Sequence, residues 1–220
     1  NLSIICGGSG LYFRALTKGI FNESTTDMHL REKLTKRLAK EGAEVLLAEL
    51  EKVDPDYAEI VHPNNHKRLI RALEIFEMTG LPPTEHFRQQ RENNPDDVQL
   101  FVAYLRPEME WLDKRIVRRT DELFALGWID EVKKLLEKGY SKSTHPMDSL
   151  GYGEIMNYLD GKLDFDEIVA QINLKSRHYA KKQISWFNKE RVNYVLQIST
   201  DEDSSKIPGY IEEMYHQTHV

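Results

Sequence analysis

The residues best placed to do chemistry in this chain are three cations, Lys67, Arg68 and Arg71, in the segment HPNNHKRLIRALE. At about 100° per residue they gather on the helix surface opposite Leu69 and Leu73. Cations at the electropositive start of a helix oppose its dipole, which predicts a negatively charged partner such as a phosphate backbone. On these residues alone, a solvated basic face on an ordinary surface helix is the alternative interpretation.

A second group of cations lies on a long predicted helix at residues 165–188. Arg177 and Lys181 are one turn apart and Lys182 is close by, a spacing that suits the charges of a pyrophosphate. A solvated lysine-rich face is the alternative. An apolar stripe on the same helix predicts core packing for seven residues: Phe165, Ile168, Val169, Ile172, Tyr179, Trp186 and Phe187.

Two glycine-bearing turns could approach a ligand closely. The apolar run at residues 2–6 predicts a strand, and GGSG follows it, so Ser9 would lie at a strand end where open α/β sheets bind ligands. GGSG is neither a Walker A loop nor a GxGxxG fingerprint, and a purely structural turn also favours glycine. In DSLGYGE, Tyr152 could stack on a base, although core packing is the commoner use of such a tyrosine.

The composition limits the possible functions. The chain has 220 residues, a net charge of −6, 40% hydrophobic and 30% charged residues, which is typical of a globular protein whose nucleic-acid binding would need a local basic patch. Its one cysteine, Cys6, excludes an internal disulfide and a cysteine-based zinc site. No apolar run approaches the roughly 18 residues that span a membrane, so we expect no membrane partner and a cytoplasmic location.

The order of predicted elements indicates an α/β fold. Strands are predicted at residues 2–6, 98–105 and 191–198, with helices alone between residues 24 and 91. This order predicts a parallel-sheet core, residues 1–22 and 97–220, interrupted by an all-helical insertion domain, residues 23–96. Because Asn1 directly precedes a predicted core strand, we expect further strands upstream of it.

The predicted helix limits follow from the periodicity of apolar residues and from capping and helix-ending residues. Asn64 or Asn65 is the expected cap of the basic helix, which Gly80 ends. Residues 201–206 (DEDSSK) are interpreted as a charged linker. The remaining helices are predicted at residues 11–19, 28–41, 43–52, 109–126, 128–137, 153–159 and 207–216.

Five segments, in this order, resemble the tRNA dimethylallyltransferases, also called tRNA isopentenyltransferases: IICGGSGLYFRAL, VDPDYAEIVHPNNHKRLIRALEIFEMTG, RIVRRTDELFALGWIDEVKKLL, SLGYGEIMNYLDG and SRHYAKKQISWF. Each is weak alone, but together they cover most of the chain. The resemblance implies a P-loop-like, nucleotide-binding α/β core with a helical insertion. It also implies transfer of a dimethylallyl group from its diphosphate to the N6 amine of the adenosine 3′ of the anticodon, assisted by Mg²⁺.

The resemblance also assigns roles by position. It implies tRNA contacts for Ser9, Arg31, Lys67, Arg68, Leu69, Ile70, Arg71, Ser149, Leu150, Gly151, Tyr152 and Gly153. It places Arg177, with Lys181 and Lys182, on the diphosphate side. The chain has HPNN, KKQ and GYGE where the family more often has HPND, KRQ and GYKE. The last change removes a cation near RNA, and lysine for arginine loses bidentate phosphate geometry.

The family's P-loop and its aspartate general base lie upstream of GGSG, so no catalytic residue is assigned here and they are expected upstream of Asn1. We therefore expect this polypeptide to be inactive alone. The expected partners are a tRNA anticodon stem-loop and dimethylallyl diphosphate, bound by a monomer. Two alternatives stay open: an adenylate isopentenyltransferase, which an extended basic helix disfavours, and a non-enzymatic RNA-binding fragment.

Overall fold

The structure, a computed structural model, describes residues 3–18, 26–92 and 100–218. The chain divides into two compact units, Asn1–Gln99 and Leu100–Val220. The arrangement expected from the sequence, with residues 1–22 joined to 97–220 as one domain, stays a prediction. None of the described helices is both long and apolar enough to cross a membrane.

All regular secondary structure described in the first unit is helical. Its helices are α1 (Gly10–Lys18), α2 (Met28–Glu41), α3 (Ala43–Val53), α4 (Pro55–Ile60), α5 (His66–Thr79) and α6 (Pro83–Glu92). Helices α2 to α5 share one core, because their apolar stripes meet. Its buried members are Leu34, Leu46, Leu50, Ala58, Val61, Leu69, Ile70, Ala72 and Leu73.

Side-chain caps set where these helices begin. The carboxylate of Asp27 accepts hydrogen bonds from the N–H groups of His29 and Leu30 at the start of α2. Asn65 caps α5, its Oδ1 lying 3.3 Å from the N of Arg68, and Gly80 ends α5 at φ 72°. The predicted cap and stop of the basic helix are therefore confirmed.

The second unit contains a parallel sheet, as the α/β prediction requires. Strand β1 (Ala103–Pro107) pairs in parallel with β2 (Tyr194–Ile198), Ala103 opposite Tyr194 and Pro107 opposite Ile198. Between the strands lie α7 (Met109–Ala125), α8 (Trp128–Glu137), a short 3₁₀ helix (His145–Asp148), α9 (Tyr152–Leu159) and α10 (Phe165–Phe187), and α11 (Asp201–Thr218) follows β2. The buried core comprises Trp128, Val132, Met147, Ile155, Met156, Ile168 and Ile172.

The predicted strand at residues 2–6 is wrong in the described part. Residues 3–9 form neither helix nor strand, and Ile4 and Ile5 are exposed. A strand needs a neighbour to take its backbone hydrogen bonds, and no described strand pairs with this segment. Residues 1 and 2 lie outside the described residues.

Two further predictions are corrected. The segment 201–206 is the first part of α11, because Thr200 and Asp203 form a reciprocal cap: the N–H of Asp203 donates to Thr200 Oγ1 at 3.0 Å, and the N–H of Thr200 donates to the Asp203 carboxylate. The apolar stripe of α10 is buried at Ile168 and Ile172, but Phe165 and Tyr179 are exposed. A helix side chain is buried only where another element covers it, and periodicity does not show where that cover ends.

Candidate nucleic-acid and diphosphate sites

The basic face of α5 is formed as predicted, and the apolar residues beside it pack into the core. Lys67 and Arg68 are exposed in the first turn of the helix. Leu69 is completely buried and Ile70 almost so, both in the core of the first unit. The side chains of Leu69 and Ile70 therefore anchor α5 in the core, and their predicted contacts with tRNA stay a prediction.

Arg31 and Arg71 are brought together by a buried carboxylate that sequence reasoning missed. Arg31 Nη2 and Arg71 Nη1 each donate to Glu74 Oε2 at 2.8 Å. The Glu74 side chain is 0% exposed, whereas those of Arg31 and Arg71 are 40% and 27% exposed. Burial alone would raise the pKa of Glu74, but hydrogen bonds from Arg71 and Arg31 outweigh it, so this pKa lies below its ordinary value. Glu74 is therefore charged at neutral pH.

Ser9 lies at the start of α1. Its carbonyl oxygen accepts a hydrogen bond from the N–H of Phe13 at 3.0 Å, so Ser9 belongs to the turn that begins this helix, and it is half-buried. Its predicted contact with tRNA stays a prediction.

In the second unit, the turn at residues 149–153 is held rigidly. Ser149 Oγ donates to the carbonyl of Pro146 at 2.7 Å, and the N–H of Gly151 donates to Glu154 Oε2 at 2.8 Å. Gly151 has φ 95°, and a Cβ placed on it would lie 2.1 Å from the Trp128 ring. Leu150, beside it, is exposed. The turn thus offers a fixed backbone rather than an adaptable loop.

Tyr152 is engaged on two sides. Its ring meets the edge of Trp128, with centroids 6.1 Å apart, and its hydroxyl donates to Glu131. The hydrogen bond to Glu131 and burial raise the pKa of Tyr152. The packing interpretation thus accounts for part of this side chain, and its stacking on a base stays a prediction.

A second buried carboxylate ties this turn to α10. Glu154 is almost fully buried, pairs with Lys175 and accepts the N–H of Gly151. Burial would raise the pKa of Glu154, but the hydrogen bonds from Lys175 and from the backbone lower it overall. Glu154 lies at the third position of α9, where a glutamate can reach back to the N-cap N–H, but glycine at the N-cap hides this signal in the sequence.

Arg177 does not stand alone on α10. Its Nε donates to Asp113 Oδ1 at 2.8 Å and its Nη2 donates to Oδ2, a bidentate ion pair between α10 and α7. Asp113 raises the pKa of the Arg177 guanidinium further. Lys181 and Lys182 are exposed, and neither forms an ion pair with another described residue.

Mg²⁺ was expected from the resemblance. No three or more His, Cys, Asp or Glu side chains are grouped so as to hold a metal ion in the part of the chain that the structure describes. Mg²⁺ usually keeps several waters and needs only one or two carboxylates besides substrate phosphates. The expected role of Mg²⁺ therefore stays a prediction.

Comparison with known proteins assigns the chain to a family. The profile described as "IPP transferase" matches residues 1–190. The chain is 43% identical over 189 residues to a protein named tRNA dimethylallyltransferase 1 from Trichlorobacter lovleyi, covering 85% of this chain and 61% of the relative. It is 39% identical over 216 residues to the tRNA dimethylallyltransferase of Thermotoga maritima, covering 97% and 68%. The chain thus spans about three fifths to two thirds of these relatives' length.

Solved structures of similar proteins agree with this family match. The tRNA isopentenylpyrophosphate transferase of Bacillus halodurans is 31% identical, with TM-score 0.52, covering 96% of this chain and 67% of that protein. A eukaryotic dimethylallyltransferase, crystallised acting on tRNA, is 24% identical with TM-score 0.69, covering 97% and 56%, and it shows the fold alone. The chain belongs to the IPP transferase family.

Proposed function

We propose that this protein modifies tRNA by transferring a dimethylallyl group from dimethylallyl diphosphate to the N6 amine of the adenosine 3′ of the anticodon. The observation that carries the proposal is the family match over residues 1–190, a span that contains every candidate contact residue from Ser9 to Lys182. The names of the relatives, tRNA dimethylallyltransferases, supply the reaction class.

RNA binding is assigned to the basic surface of the first unit and to the turn at residues 149–153. Lys67, Arg68, Arg31 and Arg71 are cationic and at least partly exposed, and cations on one surface bind a phosphate backbone through charge and counterion release. The rigid Ser149–Gly153 turn presents backbone groups. An anticodon-loop base must leave the stack before its amine can react, so a fixed surface that holds the loop favours the reaction.

The diphosphate is assigned to Arg177, Lys181 and Lys182. In the transfer, the lone pair of the N6 amine forms a bond to the allylic carbon while the bond from that carbon to the diphosphate oxygen breaks. The electron pair leaves with the diphosphate, and the amine gives up a proton. Cations stabilise the charge that develops on the leaving group. Asp113 engages Nε and Nη2 of Arg177, and a guanidinium carries further donors on Nη1.

We assign no residue of this chain as the base that takes the amine proton. Mg²⁺ bound with the diphosphate would add neutralising charge, and no described residue is assigned to it. Because its proposed substrate is tRNA, we place the protein in the cytoplasm, and we expect it to act as a monomer.

The test is nucleoside analysis. The full-length protein that contains this chain is expressed in a bacterial strain lacking its own tRNA dimethylallyltransferase, and digested tRNA is examined by liquid chromatography and mass spectrometry. We expect N6-dimethylallyladenosine 3′ of the anticodon. In a parallel assay with purified protein, allylation of free AMP but not tRNA would favour the adenylate isopentenyltransferase. RNA binding without transfer to either acceptor would favour the non-enzymatic alternative.

A further inference from the structure

Glu74 is unusual among the acids of the first unit, because it is completely buried and both of its partners are partly exposed arginines from different helices. Arg31 comes from α2 and Arg71 from α5, and each places one nitrogen 2.8 Å from the same oxygen, Oε2. The two donor nitrogens are thus no more than twice 2.8 Å apart. Without a carboxylate between them, two guanidinium groups at this separation would repel each other.

Stability alone is a poor explanation for this carboxylate. Burying a charge costs free energy that even well-formed ion pairs repay incompletely, and buried ion pairs are therefore weak indicators of stability. The other oxygen, Glu74 Oε1, is buried and has no hydrogen-bond partner among the described residues. An unsatisfied buried acceptor adds a further cost.

The arrangement leaves donor groups on both arginines that Glu74 does not use. A guanidinium has five N–H donors, and Glu74 takes a hydrogen bond from only one nitrogen of each arginine. One carboxylate between two guanidinium groups leaves a net charge of about +1 on fixed, partly exposed donors. Planar guanidinium groups held in place suit RNA phosphates better than mobile ones, because less side-chain entropy is lost on binding.

We propose that Glu74 is a positioning residue for RNA binding: it holds Arg31 and Arg71 side by side so that they form a single phosphate-binding site. This inference rests on the proposed function, since the anion it fits is the backbone of the tRNA substrate. Glu74 itself touches no RNA and acts through the two arginines.

The Glu74→Gln variant tests this proposal, because the two interpretations predict opposite changes in RNA affinity. If Glu74 were only an acid near a basic surface, removing its charge would tighten RNA binding. If it positions the arginines, the variant binds an anticodon stem-loop roughly tenfold more weakly, because each guanidinium loses its charged anchor. Affinity is measured by fluorescence anisotropy with the full protein, and the folded state is checked by thermal melting.

Glu77→Gln is the matched control. Glu77 lies one turn further along α5 and pairs with Lys33 of α2 at 3.6 Å, but this pair is exposed, at 33% and 63%. Removing the same charge from the same pair of helices should leave RNA affinity unchanged or slightly tighter. Equal weakening in both variants would overturn the inference.

Two outcomes separate this inference from the proposed function. If the wild-type protein binds no stem-loop, both fail. If the wild type binds and Glu74→Gln binds equally well or more tightly, the inference alone fails. If Glu74→Gln does not fold, the test uses Arg31→Ala, Arg71→Ala and the double variant. A single phosphate-binding site predicts that the double variant loses less affinity than the two single variants lose together. Additive losses would contradict it.

Discussion

Gly151 fits against the Trp128 ring so closely that no side chain can replace its hydrogen. A Cβ there would lie 2.1 Å from the ring, at a φ of 95° that L residues rarely adopt. We expect Gly151→Ala to lower the free energy of unfolding by about 2–4 kcal/mol, through overpacking and backbone strain. Thermal or urea unfolding measures the change.

Gly153 offers the matched control for this prediction. It lies two residues away, inside α9, and a Cβ on it would meet nothing within 4 Å. Alanine is the better helix former, so Gly153→Ala should be neutral or stabilising by up to about 1 kcal/mol. If both alanine variants unfold alike, the contact with Trp128 is not what requires glycine at position 151.

At this scale the sequence predicted which cations are exposed better than it predicted which residues pair with them. Periodicity correctly placed Lys67 and Arg68 on the solvent face of α5, but it gave no sign that Arg31 joins Arg71. That contact depends on Glu74, 43 residues from Arg31 along the chain, and local patterns carry no information about such a pairing. The available signal was an acid among the apolar residues of α5, which demands a cationic partner once buried.

Among the elements, accuracy did not follow the presence of a side-chain cap: α8 begins at Gly127 without one, and α4, which Asp54 caps, was not predicted. The limits of α2 and α8 were predicted correctly, and the start of α5 followed from Asn65. Helix α6 was missed because Pro82 and Pro83 indicate a stop, yet proline also suits the first position of a new helix. The N-terminal strand failed because strand formation depends on a pairing partner, which apolar composition cannot supply.

Asp54 shows how one side chain joins elements. Its carboxylate caps α4 through the N–H of Tyr57 and also accepts both the N–H and the hydroxyl of Thr84 in α6, each of the latter at 2.7 Å. Asp54 is buried, so these hydrogen bonds are shielded from water. They explain why α6 is attached to the helical unit despite its few apolar residues.

The Glu154–Lys175 pair, which links α9 to α10, predicts a pH dependence. The pKa of Glu154 is lowered from 4.5, so its stabilisation is complete above that pH and is lost as the pH falls through the lower folded value. Glu154→Gln should therefore reduce stability at neutral pH and flatten the decline in melting temperature below about pH 4.5. Melting curves recorded across acidic and neutral pH measure both effects.

Glu110→Gln is the control for the loss of a carboxylate in general. Glu110 pairs with Lys114, and its pKa is also lowered by that hydrogen bond, but both side chains are highly exposed. Solvent screens such a pair, so this variant should retain the wild-type pH profile. A profile flattened equally by both substitutions would mean that burial of Glu154 does not matter.

For the whole molecule, we assign different groups of cations to different substrates. Arg71, in the first unit, is assigned to RNA, and Arg177, in the second, to the diphosphate. The family is established by the match over residues 1–190, whereas these assignments are proposals that rest on charge, exposure and position. They predict that the two arginines affect the two substrates separately.

The most direct test measures the KM of each substrate in the active full-length protein for Arg71→Ala and Arg177→Ala. We expect Arg71→Ala to raise the KM for tRNA roughly tenfold and to reduce its salt dependence, with the KM for dimethylallyl diphosphate unchanged. Arg177→Ala should do the reverse, raising the KM for the diphosphate while sparing tRNA. Equal losses for both substrates in either variant would contradict the separate roles of the two groups of cations.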